Sequence, residues 1–186
     1  MCTASIRQKI TKIDLDVIFS TRQFLSIGKR AAVDQALYRM VKAREIIRLA
    51  PGIFIKAGSA WPSAFAIASA KARAFGKQIV LHAGDLAARF ELAPTQADLV
   101  FDAAGSTSCF QSRNEKIHMR STAKRKRLLD KTPFGQVIRA IWHRGERGFD
   151  LACESALYHA QQSFGLNDLP QLSALMPAWI NDRILS

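Results

Sequence analysis

Gln35 and Arg39 stand four residues apart in the segment GKRAAVDQALYRMVK, and both are side chains suited to reading base edges. An amide pairs bidentately with adenine N6/N7, and a guanidinium with guanine O6/N7. Lys29 and Arg30 come just before them, at the start of a helix, where free backbone N–H groups and the dipole favour a phosphate. Tyr38 and Lys42 lie farther along and suit the DNA backbone or a thymine methyl, and Arg48 suits an adjacent phosphate. The chemistry these residues offer is hydrogen-bonded recognition of duplex DNA, with no bond made or broken.

Such a constellation needs a helix with one face held and one face free. Val33, Ala36, Leu37 and Met40, with Val41 beside them, recur at helical spacing from Lys29 to about Arg44 and form a narrow apolar stripe. The opposite face carries Ala31, Gln35, Tyr38 and Lys42, with Asp34 and Arg39 on its shoulders. Gly28 is expected to supply a positive-φ turn after a short helix, about Thr21 to Ser26, with Phe24 and Leu25 inward. Ile6, Ile10 and Ile13 predict an earlier helix with Arg7, Lys9 and Lys12 outside, and Val17 to Phe19 a small strand. Ile46, Ile47 and Leu49, then Ile53, Phe54 and Ile55, flank Pro51-Gly52 as a hairpin, with Arg48 and Lys56 beside that wing. This order reads as a winged helix-turn-helix. Residues 1–56 hold 11 Lys or Arg against 4 Asp or Glu, the electrostatic footprint that phosphate neutralisation requires.

The stretch from Ser5 to Ala57, above all GKRAAVDQALYRMVKAREIIRLAPGIF, resembles the amino-terminal domain of the AbiEi-like antitoxins, winged-helix regulators of type IV toxin-antitoxin systems. The likeness continues more weakly through GDLAARFEL, DLVFDAAG and the closing LMPAWI, so that roughly the whole chain is covered. The resemblance implies a repressor of its own operon that antagonises a partner nucleotidyltransferase toxin, with operator DNA as its ligand and a homodimer on that DNA as an open alternative. It supports Arg30, Gln35 and Arg39 in particular. The toxins of such pairs combine a Gly-Ser pair with a following Asp-x-Asp; here neither Gly58-Ser59 nor Gly105-Ser106 is so followed. The chain therefore resembles the antitoxin and not the toxin.

A chain of 186 residues with 48% apolar content can bury a real core. No apolar run reaches the ~18 to 20 residues of a spanning helix, and charged residues interrupt the start, so neither a membrane span nor a signal peptide is expected and the expected location is the cytoplasm. Cys2, Cys109 and Cys153 are odd in number and widely spaced, which fits reduced thiols. Charge is uneven: residues 57–112 balance, residues 113–148 hold 11 basic and 3 acidic, and residues 149–186 are acidic. The second basic block centres on Lys124-Arg125-Lys126-Arg127, expected as a solvated loop, with Arg113, Lys116, Arg120, Lys131, Arg139, Arg144 and Arg147 around it. Such a patch suits flanking DNA or an acidic face of a protein partner.

A second domain is expected from Gly58, giving a winged helix-turn-helix domain at 1–57 and a mostly helical α+β domain with a small antiparallel sheet at 58–186. Trp61-Pro62-Ser63 opens a helix with Pro62 in the first turn and Phe65, Ala68, Ala72 and Phe75 on one face, closed by Gly76. Short strands are expected at Gln78 to His82, Leu99 to Phe101, Ser108 to Phe110 and Ile117 to Met119, and a helix at Gly84 to Leu92. Thr132 caps a helix with Pro133 at its first position, running to about His143, whose ring the helix dipole would favour in its charged form. Phe149 to Phe164, about Asp168 to Leu175, and Pro177 to Leu185 complete the helices, the last with Trp179, Ile180 and Ile184 on its apolar face.

Catalytic and metal chemistry find little support. There is no CxxC, HxxxH or HExxH, Cys153 and His159 are out of phase on one helix, and neither Gly-Ser pair forms a G-x-S-x-G elbow. No enzyme activity, metal or cofactor is expected. Two alternatives stand beside DNA-binding regulation: an adaptor that uses the wing domain to bind another protein, and a nuclease holding a divalent ion on Asp98, Asp102 and Glu115. Against the nuclease, Glu115 and Lys116 are adjacent and point to opposite faces of a strand.

Overall fold

Val33, Ala36, Leu37 and Met40 do form a buried stripe, on a helix that runs from Arg30 to Lys42. In a computed structural model that describes residues 2–164 and 169–185, this helix, α2, follows α1 (Cys2–Thr11), β1 (Phe19–Ser20) and a 3-10 turn at Thr21–Phe24. It is followed by β2 (Ile46–Ala50) and β3 (Ile53–Lys56). The β-branched runs either side of Pro51-Gly52 pair as expected, and Gly52 takes the left-handed conformation (φ 77°) that the tight connection needs. The sheet order is β1-β3-β2, with both outer strands antiparallel to β3. Register shifts between Arg48 and Ala50, so that Leu49 and Ala50 are both buried in succession. Ile6, Ile10, Phe19, Phe24, Leu37 and Phe54 meet in one core, with Phe19 stacked on Phe54 and edge-on to Phe24.

Local details depart from expectation where a neighbour decides the matter. Leu25 is exposed, because successive i→i+3 bonds from Leu25 N to Arg22 O and from Ile27 N to Phe24 O close the turn and bring Ile27 to the core instead. Gly28 does not take a positive φ. Lys56 ends β3 beside the hairpin, and its Nζ donates to Thr11 O, satisfying a carbonyl at the end of α1. Pro62 precedes the next helix, α3 (Ala64–Arg73), whose N-cap is Ser63, its hydroxyl accepting from Ala66 N. The inward face of α3 is Ile67, Ala68 and Ala72; Phe65 and Phe75 point to solvent. That face packs on all three strands of the first sheet.

The rest of the chain comprises β4 (Ile79–Leu81), α4 (Ala83–Arg89), β5 (Leu99–Ala103), β6 (Ser108–Ser112), β7 (Glu115–Ser121), α5 (Lys124–Leu129), α6 (Pro133–Arg144), α7 (Leu151–Phe164), α8 (Leu169–Ser173) and α9 (Ala178–Leu185). The strands form a sheet in the order β4-β5-β7-β6, with β4 antiparallel to β5. Thr132 caps α6, its hydroxyl accepting from Gly135 N, and Pro133 is in the first turn. The central helix α6 packs against α4, α5 and α7 and buries Phe134, Val137, Ile138 and Ile141 in a core that Leu86, Leu157 and Ile180 share. Lys124-Arg125-Lys126-Arg127 is the start of α5, not a loop. Leu129 on the same helix is fully buried, and the ring of Trp142 on α6 lies under two of its cations. The expected helix start at Asp168 lies outside the described residues.

The architecture is α+β. Two compact units make it up: residues 1–78 with the hairpin tip 109–117, and residues 79–108 with 118–186. The sequence-based boundary at 57/58 thus falls inside the first unit, because the buried face of α3 belongs to the first sheet. Among the described residues no helix is long and apolar enough to cross a membrane.

Candidate functional site

With its apolar stripe fixed to the core, α2 must turn its other residues outward. Lys29, Arg30, Ala31, Asp34, Gln35, Tyr38, Arg39 and Lys42 are all exposed, Tyr38 at 55%. Arg30 Nε donates to Asp34 Oδ2 at 2.8 Å, one turn along, so the carboxylate on this face is already engaged. Lys42 Nζ sits 5.7 Å from the centre of the Tyr38 ring, an exposed cation–π contact that steadies both side chains. The N-cap residue Lys29 is exposed, and its ammonium, a donor only, cannot cap the free N–H groups of the helix start.

Arg48 is exposed on β2, directly across from Phe54 in the neighbouring strand. Beside it runs a groove of about 720 Å³, lined by Arg30, Gln35 and Tyr38 of α2, by Arg48 and the Pro51-Gly52 turn, and by Lys71 and Phe75 toward the end of α3. Four of the seven candidate DNA contacts (Arg30, Gln35, Tyr38 and Arg48) therefore share one concavity. Lys29, Arg39 and Lys42 lie on α2 outside that lining. Three further residues of the same wall escaped the sequence reading. Arg22 also lines the groove and stacks its guanidinium over Phe75, 4.4 Å from the ring centre. Lys71 donates to Pro51 O at 3.2 Å and lies 5.0 Å from the ring of Phe110 on the hairpin tip. Burial first, and the charge of Arg48 second, pull its ammonium below the ordinary lysine range. Only the packing of α3 on the first sheet brings Lys71 and Phe75 here, and no local pattern signals it.

The second basic block is thinner than its sequence suggests. Arg139 is 1% exposed, its Nη2 donating to Asp102 Oδ2 at 2.7 Å and to Leu81 O at 2.9 Å, while Nη1 pairs with Asp130. Arg144 is spent on Leu92 O and on Asp150 at 2.8 Å. In the first unit, Arg113 lies 3.7 Å above the centre of the Trp61 ring. Around Lys124–Arg127, Arg125 and Lys126 lie 4.7 and 4.3 Å over Trp142, and Arg120, Lys124, Lys131 and Arg147 stay exposed. Burial, then the neighbouring charge of Arg125, lowers Lys126. His143 is not favoured in its charged form: partial burial, then His82 at 5.5 Å and Arg120, hold its imidazole below the usual range.

Asp102 is bound by Arg139 and by Thr122 Oγ1 at 2.7 Å, whereas Asp98 and Glu115 are exposed. Among the described residues no group of three or more His, Cys, Asp or Glu is placed to hold a metal ion. His82 is the buried N-cap of α4, its Nδ1 accepting from Gly84 N at 3.2 Å. Cys109 is an exposed free thiol and Cys153 a buried one.

The model of a family of unknown function, DUF6088, matches residues 5–159, which takes in both α2 with its groove and the α5–α6 segment. The chain belongs to that family. No curated protein and no solved structure matches it. The features described above for this DUF6088 chain therefore rest on its own geometry.

Proposed function

We propose that this protein binds duplex DNA sequence-specifically through α2 and represses transcription, as an antitoxin of the AbiEi-like, type IV kind that regulates its own operon and opposes a nucleotidyltransferase toxin. The observation that carries the DNA-binding part is the outward face of α2. Gln35, Tyr38, Arg39 and Lys42 all face solvent there, and its carboxylate, Asp34, is held by Arg30. Gln35 and Arg39 are assigned to base edges and Lys29, Arg30 and Arg48 to phosphates, with Tyr38 and Lys42 on the backbone or a thymine methyl.

The finer fold reading is a winged helix-turn-helix. The order α1, β1, 3-10 turn, α2, β2, β3 and the strand order β1-β3-β2 support it, since the hairpin then stands beside the helix that would enter the major groove. Operon autoregulation and toxin antagonism rest on the sequence resemblance alone.

Footprinting the full-length protein on the DNA upstream of its own gene tests the first part, and co-expression with an adjacent nucleotidyltransferase gene tests the second. A protected site within that DNA, with affinity that falls steeply as salt rises, is the expected result. Binding that is absent, or equal on every sequence, would favour the adaptor reading.

A further inference from the structure

The groove beside α2 gathers positive charge that no carboxylate among the described residues neutralises, apart from Asp34, which pairs with Arg30. Arg22 comes from the 3-10 turn, Arg48 from β2 and Lys71 from α3, and all three line the same cavity. Among the described residues none of the three has an ion-pair partner, and Asp34 in the same wall is already bonded to Arg30. The folded chain holds Lys71 half-buried against Arg48, an arrangement that a bound anion would stabilise. Two aromatic side chains of the lining are also exposed, Tyr38 at 55% and Phe75 at 57%, each with a cation over one face of its ring, Lys42 and Arg22 respectively. Thr21, a further lining residue, has a buried hydroxyl with no hydrogen-bond partner. The volume, about 720 Å³, falls within the ~300 to 1,000 Å³ typical of small-ligand sites.

Cations that converge without a counter-charge select an oxyanion, and exposed ring faces select a flat apolar body attached to it. A phosphate monoester carries about two negative charges at neutral pH and three acceptor oxygens, enough to engage two guanidinium groups and an ammonium together. Inorganic phosphate would leave the rings unused.

We propose that this groove is a binding site for a nucleoside monophosphate, the phosphate held among Arg22, Arg48 and Lys71 and the base laid against Phe75. Because Gln35 and Tyr38 belong both to the groove and to the face assigned to DNA, a nucleotide in the groove and a duplex on α2 exclude one another. That competition rests on the DNA-binding reading; the occupancy of the groove does not. A phosphate reaches the same cations whether a free nucleotide or a DNA strand carries it, and the test separates these sources.

Isothermal titration of the full-length protein with each of the four 5′-nucleoside monophosphates, with adenosine and with inorganic phosphate is done first in the absence of DNA. At least one monophosphate is expected to bind saturably and roughly tenfold or more tighter than adenosine or phosphate. Lys71→Ala and Phe75→Ala are each expected to weaken it several-fold, with circular dichroism confirming the fold. Phe75 is exposed, so its variant keeps the test valid if the Lys71 variant fails to fold. The same monophosphate is then added to a complex with a labelled duplex and is expected to release it. Absence of saturable binding by all four monophosphates, or binding that Phe75→Ala leaves unchanged, would overturn the proposal. If the duplex binds while no monophosphate does, the groove assignment fails and the DNA reading stands; if a monophosphate binds while no duplex does, the reverse holds.

Discussion

Arg30 and Asp34 are joined on the outward face of α2, Nε to Oδ2 at 2.8 Å, and the pair decides how much of the positive charge on that face is available to a phosphate. Both side chains are well exposed, so the bond itself adds only about 0.3 to 0.5 kcal/mol to the helix. Its larger effect is on charge. Asp34→Ala should remove the carboxylate, release Arg30 and strengthen binding to duplex DNA by roughly threefold to tenfold at low salt, with thermal stability nearly unchanged. Fluorescence anisotropy across a salt series checks this, and weaker binding by the variant would show that Asp34 reads a base or holds Arg30 in its working position.

The buried ion pairs of the second unit carry a stability prediction. Arg139 answers Asp102 and Asp130 together, from a position that is 1% exposed. Arg139→Ala leaves the buried Asp102 and the partly buried Asp130 without their cation and should cost about 3 to 5 kcal/mol. The double variant Arg139→Met, Asp102→Leu should regain part of that loss. Urea denaturation of the three proteins gives the answer, and an Arg139→Ala protein as stable as the parent would contradict the arrangement.

Leu37 tests the other core. It is buried among Ile6, Phe24, Val33 and Met40, and truncation to Ala removes its packing on the inner side of α2. A loss of about 2 to 5 kcal/mol is expected, together with loss of DNA binding although no contact residue has changed. Calorimetry alongside anisotropy would show both effects moving together.

His143 gives a pH dependence with a definite sign. Its folded-state value lies below the ordinary 6.5, through partial burial and then through His82 and Arg120. Above 6.5 the ring is neutral in both states and stability is intact. As pH falls through 6.5 toward the folded value, the unfolded chain takes up a proton that the native protein resists, and stability declines. His143→Asn should flatten the fall in urea midpoint between about pH 7 and pH 5; an identical slope in the variant would remove His143 as its source.

How much was legible depended on whether a residue's partners were near in sequence. The stripe Val33, Ala36, Leu37, Met40 repeats within one helix, Pro51-Gly52 is a turn by its own chemistry, and Thr132-Pro133 caps its own helix; each was read correctly, as was the exposure of Gln35 and Arg39. Arg139 was placed on a basic surface because its charge is visible and its partners, Asp102 on β5 and Asp130 after α5, are not. Lys124–Arg127 read as a loop because four like charges repel, yet the buried Leu129 and the Trp142 ring 4.3 to 4.7 Å beneath two of the cations offset that repulsion. In α3 the phase was set by Phe65 and Phe75, the largest apolar residues, whereas Ile67, Ala68 and Ala72 meet the sheet. Lys71 and Phe75 entered the candidate site only through that packing.

Under the proposed DNA-binding function, Gln35 reads a base while Lys29 answers only charge. Anisotropy titrations of the parent, Gln35→Ala and Lys29→Ala proteins on the protected duplex and on its single-base variants measure this directly. Gln35→Ala should lose about 1 to 3 kcal/mol of discrimination at one base pair, and Lys29→Ala should weaken every duplex alike and reduce the salt slope by about one. Equal losses for both variants on every duplex, with no position at which preference relaxes, would contradict it.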